Sequence, residues 1–118
     1  MSRPAFLLIF IPLMACGGSA SGTWDGECVI DDTTIDMQLE LTVEGGEASG
    51  DVVAGFDDAG YLVFADGKIT GSVKGNTLDL ELDFENGAAL SISAEQDGDI
   101  IDGSCEDESG DGELELDR

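Results

Sequence analysis

The chain has 118 residues and not one histidine. That absence removes the commonest general base at neutral pH and the commonest metal ligand. It also rules out a Ser/His or Cys/His nucleophilic site. Cations are nearly as scarce, with four Lys and Arg against 27 Asp and Glu, for a formal net charge of −23. Such a surface repels phosphate, which excludes nucleic acid as a partner, and it repels an anionic bilayer face as well. Long apolar runs are missing too. Phe6 to Met14 is apolar, but a transmembrane helix needs about 20 such residues. Beyond that run no segment has a clear helical period. Cysteine is confined to Cys16, Cys28 and Cys105.

What is present begins with a leader. Arg3 supplies a positive charge ahead of the apolar run Phe6 to Met14, and together they have the form of a secretory signal. The run closes on Leu13-Met14-Ala15-Cys16, which resembles the lipobox of bacterial lipoproteins, where the Cys is lipidated and becomes the first mature residue. The resemblance implies a signal peptide over 1–15, a lipidated Cys16 with a tether over 16–22, and a domain over 23–118. Two or more acyl chains hold a small domain stably on a bilayer, where one does not. The implied location is the cell envelope, lipid-anchored, with Gly17 after the Cys pointing to the outer membrane, periplasmic or surface-facing. The other reading of the leader is an ordinary signal peptide cut after Ala20. Gly17-Gly18-Ser19-Ala20-Ser21-Gly22 has the composition of a flexible, solvated coil.

About a hundred residues remain after the signal, enough for one domain with a modest core. All the acids lie in this part, against Lys68, Lys74 and Arg118. High acidity can mean disorder, but here the acids alternate with Leu, Ile and Val, as on the wet face of strands. Three uses of the charge compete: solubility and spacing from the membrane, tolerance of salt, or divalent-cation binding. In an exported protein the even pair Cys28 and Cys105 reads as a disulfide, with two free thiols as the alternative.

Period-2 patterning dominates the domain. Ile35, Met37, Leu39, Leu41 and Val43 alternate with polar residues, and Leu78, Leu80, Leu82 and Phe84 alternate with acids. This is the signature of strands with one dry face. Gly45-Gly46, Asp66-Gly67, Gly75-Asn76, Asn86-Gly87 and Asp97-Gly98 read as tight turns. Nine strands are expected, near 23–30, 34–43, 47–55, 61–65, 68–74, 77–85, 88–95, 99–106 and 112–117. Short loops make consecutive strands antiparallel neighbours. The expected fold is therefore all-β, an antiparallel meander of about eight or nine strands closed into a small up-and-down barrel, preceded by a signal-peptide helix. An open two-sheet sandwich is the alternative.

Three segments share a central glycine: Ala48-Ser49-Gly50-Asp51-Val52, Ile69-Thr70-Gly71-Ser72-Val73 and Ile101-Asp102-Gly103-Ser104-Cys105. Recurrent glycine inside strands suggests bends that curve the sheet, or places where a ring covers the backbone; chance in a glycine-rich chain is the plainer reading. A first strand opening Gly22-Thr23-Trp24 and a short last strand ending in Arg118 look like calycin-type barrels of the lipocalin and avidin kind. That resemblance implies that Trp24 sits at the closed end and packs against Arg118. In general form the chain is also similar to small lipoproteins of predatory and marine bacteria.

Candidate sites are few. Asp107, Ser109, Asp111 and Gly112 match the opening of a calcium loop, but the twelfth position is Arg118, where a bidentate Glu is needed. A solvated acidic turn is the reading, with weak Ca²⁺ binding by Glu106, Asp107, Glu108 and Asp111 left as a hypothesis. Asp31-Asp32 and Asp57-Asp58 pair carboxylates as glycosidases do, yet Asp is also favoured at hairpin tips, and no catalytic residue, metal or cofactor is expected. Trp24, Phe56, Tyr61, Phe64 and Phe84 either fill the core or line a ligand cavity. The expected function is a membrane-anchored, non-catalytic binding or structural barrel. The alternatives are a periplasmic protease or lysozyme inhibitor and a lipocalin-like small-ligand carrier. Expected partners are the bilayer through an acylated Cys16 and a basic protein.

Overall fold

The computed structural model describes residues 19–58 and 61–118, leaving aside the side chains of 56–58 and 61–62. The expected signal peptide with its helix, and Cys16, lie outside the described residues. Eight strands run in chain order: β1 (Gly22–Ile30), β2 (Thr33–Glu44), β3 (Glu47–Asp58), β4 (Tyr61–Lys74), β5 (Thr77–Phe84), β6 (Ala89–Asp97), β7 (Ile100–Asp107) and β8 (Gly110–Asp117). Each pairs antiparallel with the next, and β1 pairs with β8 from Asp25 opposite Asp117 to Val29 opposite Glu113. The sheet closes. No helix occurs among the described residues.

Alternation decides which face is dry. Along β2 from Ile35 to Leu41, and throughout β5, every second residue is buried and its neighbours are exposed. The buried set from all eight strands forms a single core that includes Trp24, Leu39, Ile69, Leu78, Leu82, Ile101 and Leu116. Antiparallel order sorts the connections to two ends. The turns at 45–46, 75–76 and 98–99 share one end with Ser19 and Arg118. There the turns are tied to their neighbours: Val73 N–H donates to Gly46 O, Gln96 N–H to Asn76 O and Arg118 N–H to Asp99 O.

The glycines of the repeated segments mark close approach of backbone to backbone. A Cβ on Gly50 would lie 1.9 Å from the carbonyl oxygen of Glu40 on the neighbouring strand, and Gly71 and Gly103 meet the carbonyls of Asp79 and Ser93 in the same way. These are bends of a tightly curled sheet. Among the three, no ring atom is among the nearest neighbours.

One expected turn is absent. Asp66-Gly67 lies inside β4, with Asp66 opposite Val53 and Gly67 opposite Val52. The segments 61–65 and 68–74 are therefore one 14-residue strand, and nine expected strands become eight. The dipeptide's turn propensity is overridden by packing. Gly67 is where β4 first meets β5, opposite Phe84, and a Cβ there would lie 2.6 Å from Asp83 O and 2.9 Å from the Phe84 ring.

Candidate functional site

At the end that carries Ser19, first and last strands meet in a latch. Trp24 is fully buried, and its indole Nε1–H donates to Ala20 O at 2.7 Å. The Arg118 guanidinium stands over the indole, 4.4 Å from the ring centroid. Its Nη1 donates to Ser19 O at 3.0 Å and Ser21 O at 2.9 Å, while Nε donates to Asp99 Oδ1 at 3.1 Å. Gln96 Nε2 donates to Ser19 O and Gly98 O, and the Ser21 hydroxyl accepts from Val43 N–H. Residues 19–22, expected as solvated tether, are thus held by the barrel from Ser19 onward, and Ala20 belongs to the core at 2 % exposure. The physical reason is that three successive carbonyls, of Ser19, Ala20 and Ser21, accept hydrogen bonds from Arg118, Gln96 and Trp24 of the barrel.

Gln96 was not foreseen as part of this end. It is buried, and its Oε1 has no hydrogen-bond partner among the described residues. The signal was there to read: Leu90, Ile92 and Ala94 put the next inward position at 96, and a Gln occupies it.

Toward the other end the disulfide closes the seam. Cys28 and Cys105 are bonded, 77 residues apart in sequence, and both are buried. Cys28 lies opposite Leu114 and Cys105 opposite Gly112, so the bond links β1 to β7 across β8. Gly112 shares the inward parity of Leu114 and Leu116, and a Cβ there would be 1.8 Å from Val29 O.

The acidic turn uses its carboxylate locally. Asp107 Oδ1 accepts from Ser109 N–H at 2.8 Å, Ser109 Oγ–H at 2.6 Å and Gly110 N–H at 3.2 Å. The Ser109 hydroxyl bond above all, with the two backbone donors, holds the Asp107 carboxyl below its ordinary value, against a smaller opposing effect of burial. Among the described residues no three acidic or Cys side chains gather closely enough to hold a metal ion. Asp31-Asp32 forms the β1–β2 turn, with Asp31 at φ +54°; the side chains of Asp57 and Asp58 lie outside the description. Lys68 pairs with Asp51 across β3 and β4 on the open surface, which holds its ammonium above the ordinary value.

The aromatic set divides. Trp24 and Phe84 are core, while Phe64 is 64 % exposed and lines no interior; Phe56 and Tyr61 have side chains outside the description. An open groove of about 800 Å³ lies on the outer wall, lined by Glu27, Asp31, Asp102, Glu113 and Glu115 beside Gly103 and Gly112.

The architecture defines a class, the small antiparallel up-and-down barrel. No known protein family matches the chain, and no curated protein does. Among solved structures the chain is similar to a redesigned beta barrel, mFAP1, bound to DFHBI. The likeness has a TM-score of 0.61 at 19 % identity and covers 83 % of this chain and 94 % of that one. At that identity the shared property is the fold.

Proposed function

We propose that this chain is a bacterial lipoprotein whose acidic barrel, anchored through Cys16, is a non-catalytic binding module displayed in the cell envelope. One observation carries the anchoring: Ser19, Ala20 and Ser21 are part of the folded barrel. A cut after Ala20 would strip the acceptor from the Trp24 indole and empty a buried position. A cut before Cys16 leaves both in place, with only Gly17 and Gly18 between the acylated residue and the first docked one. At about 3.4 Å per extended residue, that spacer holds the Trp24 end of the barrel close to the bilayer and turns the other end outward. The repulsion of so acidic a surface from anionic lipid makes the covalent chains the attachment.

The binding role rests on shape and chemistry. The mFAP1 barrel is described as bound to DFHBI, but here the interior is occupied by Trp24, Leu39, Ile69, Leu78, Leu82, Ile101 and Leu116, each under 2 % exposed. Binding is therefore assigned to the outer surface and not to the lumen. A chain without histidine carries binding more readily than acid-base catalysis.

Intact mass of the protein exported by a bacterial host, with labelling by an alkyne fatty acid, tests the anchor. The expected product starts at Cys16, carries acyl chains and contains one disulfide, and Cys16→Ser abolishes labelling and processing. A mature chain starting at Ser21 without lipid overturns the reading.

A further inference from the structure

The β3–β4 hairpin outruns both neighbours. β2 pairs with β3 only as far as Gly55, and β5 pairs with β4 only from Gly67 onward, while β3 and β4 stay paired out to Asp58 and Tyr61. Beyond Asp66, β4 has a partner among the described residues on one side alone. Asp66 O accepts from Glu85 N–H, so Asp66 directs its backbone groups toward β5. Two residues earlier, by strand alternation, the N–H and C=O of Phe64 point to the same side, where the ladder has ended. A free edge of this kind is a template for another strand.

The side chains along the edge describe the strand that would fit. Val63 and Phe64 are 45 % and 64 % exposed, and Val53, opposite Asp66, is 41 % exposed. Beside them runs an open groove of about 410 Å³ lined by Val53, Asp66, Asp83, Phe84 and Glu85. Its one cation, Lys68, is engaged by Asp51. Apolar contact and an excess of carboxylates, Asp51, Asp66, Asp83 and Glu85 against Lys68, thus lie side by side.

We infer that the β4 edge at Val63–Ala65 is a docking edge for an extended segment of a basic protein, with apolar and Lys or Arg side chains in alternation, added to the sheet as a further strand. Charge selects this occupant. A second copy would bring the same acids against Asp66, Asp83 and Glu85, and like charges across a pairing edge oppose it. The inference rests on the reading of the barrel as a binding module, and under the anchored geometry this edge is carried at the end facing away from the bilayer.

The test uses the full chain in non-ionic detergent and a short synthetic peptide of alternating valine and lysine. Its controls are the valine and glutamate counterpart and an N-methylated version. At about 0.15 M salt the Val/Lys peptide binds, slows exchange of the Phe64 amide, and fails to bind when N-methylated. Phe64→Ser weakens it about ten-fold, and Asp66→Asn with Glu85→Gln weakens it by a similar factor without touching the apolar patch. Absence of binding overturns the inference, as does binding that is indifferent to Phe64→Ser and spread over the barrel. Sedimentation showing a dimer that Phe64→Ser dissolves assigns the edge to a second copy and overturns it too. Each of these failures leaves the mass of the Cys16-containing product unchanged, so the anchor stands or falls separately.

Discussion

Arg118 stands over the ring of Trp24, 4.4 Å from its centroid, and so joins the last strand to the first beyond the β1–β8 ladder. The guanidinium also spans Ser19 O, Ser21 O and Asp99 Oδ1. Its planar fork serves these acceptors and the ring together, which an ammonium cannot do.

Arg118→Ala is expected to cost about 2 kcal/mol, from the cation–π contact and the hydrogen bonds to two carbonyls. Arg118→Lys recovers less than half. Urea unfolding followed by Trp24 fluorescence checks both, and equal stability of Arg118→Ala and the parent removes the latch as a stabilising device.

Loss of the disulfide through the double change Cys28→Ala and Cys105→Ala is expected to cost about 4.5 kcal/mol for a loop of 77 residues in the chain-entropy model. Gly112→Ala attacks the same seam without touching sulfur. Because its Cβ would sit 1.8 Å from Val29 O, about 3 kcal/mol is lost to overpacking and strand displacement. Thermal unfolding under oxidising and reducing conditions measures both.

Asp107→Ala removes the acceptor of the β7–β8 turn. Since the turn is solvated, the loss at neutral pH is about 1 kcal/mol or less. The folded pKa is held below the ordinary value, so the carboxylate's contribution is complete above the ordinary carboxylate range. It fades as pH falls through the folded value. The stability gap between parent and variant should close in strong acid; a gap that stays constant down to about pH 2 contradicts the assignment.

With 27 acids against four cations, self-repulsion works against the compact state. Added NaCl screens it, so the melting temperature should rise between about 0.01 and 0.15 M salt as the Debye length falls from about 30 to 8 Å. A fall over that range, traced by circular dichroism, would show that attractive pairs such as Lys68–Asp51 outweigh the repulsion.

Much of the barrel was legible because alternation is a local property. Ile35 to Val43 and Leu78 to Phe84 declare their dry face without reference to any other strand. Once β1 to β8 are known to be short, amphipathic and closely linked, closure follows from the cost of open edges. Cys28 and Cys105, read together as a pair in the domain, are bonded in the structure. The glycine repeat was readable as curvature, though not which carbonyl each glycine would meet.

The amino-acid order by itself determined strand parity, acidity, the exclusion of histidine chemistry and the all-β class, since each depends on residue type and spacing alone. Only the tertiary structure decided that Asp66-Gly67 continues a strand, because Phe84 and Asp83 close over Gly67 from the neighbouring one. It also decided that Ser19 to Ser21 belong to the barrel and that Phe64 faces water. Those outcomes depend on which groups arrive from distant positions to donate, accept or cover, and a residue's own neighbours in sequence carry no record of them.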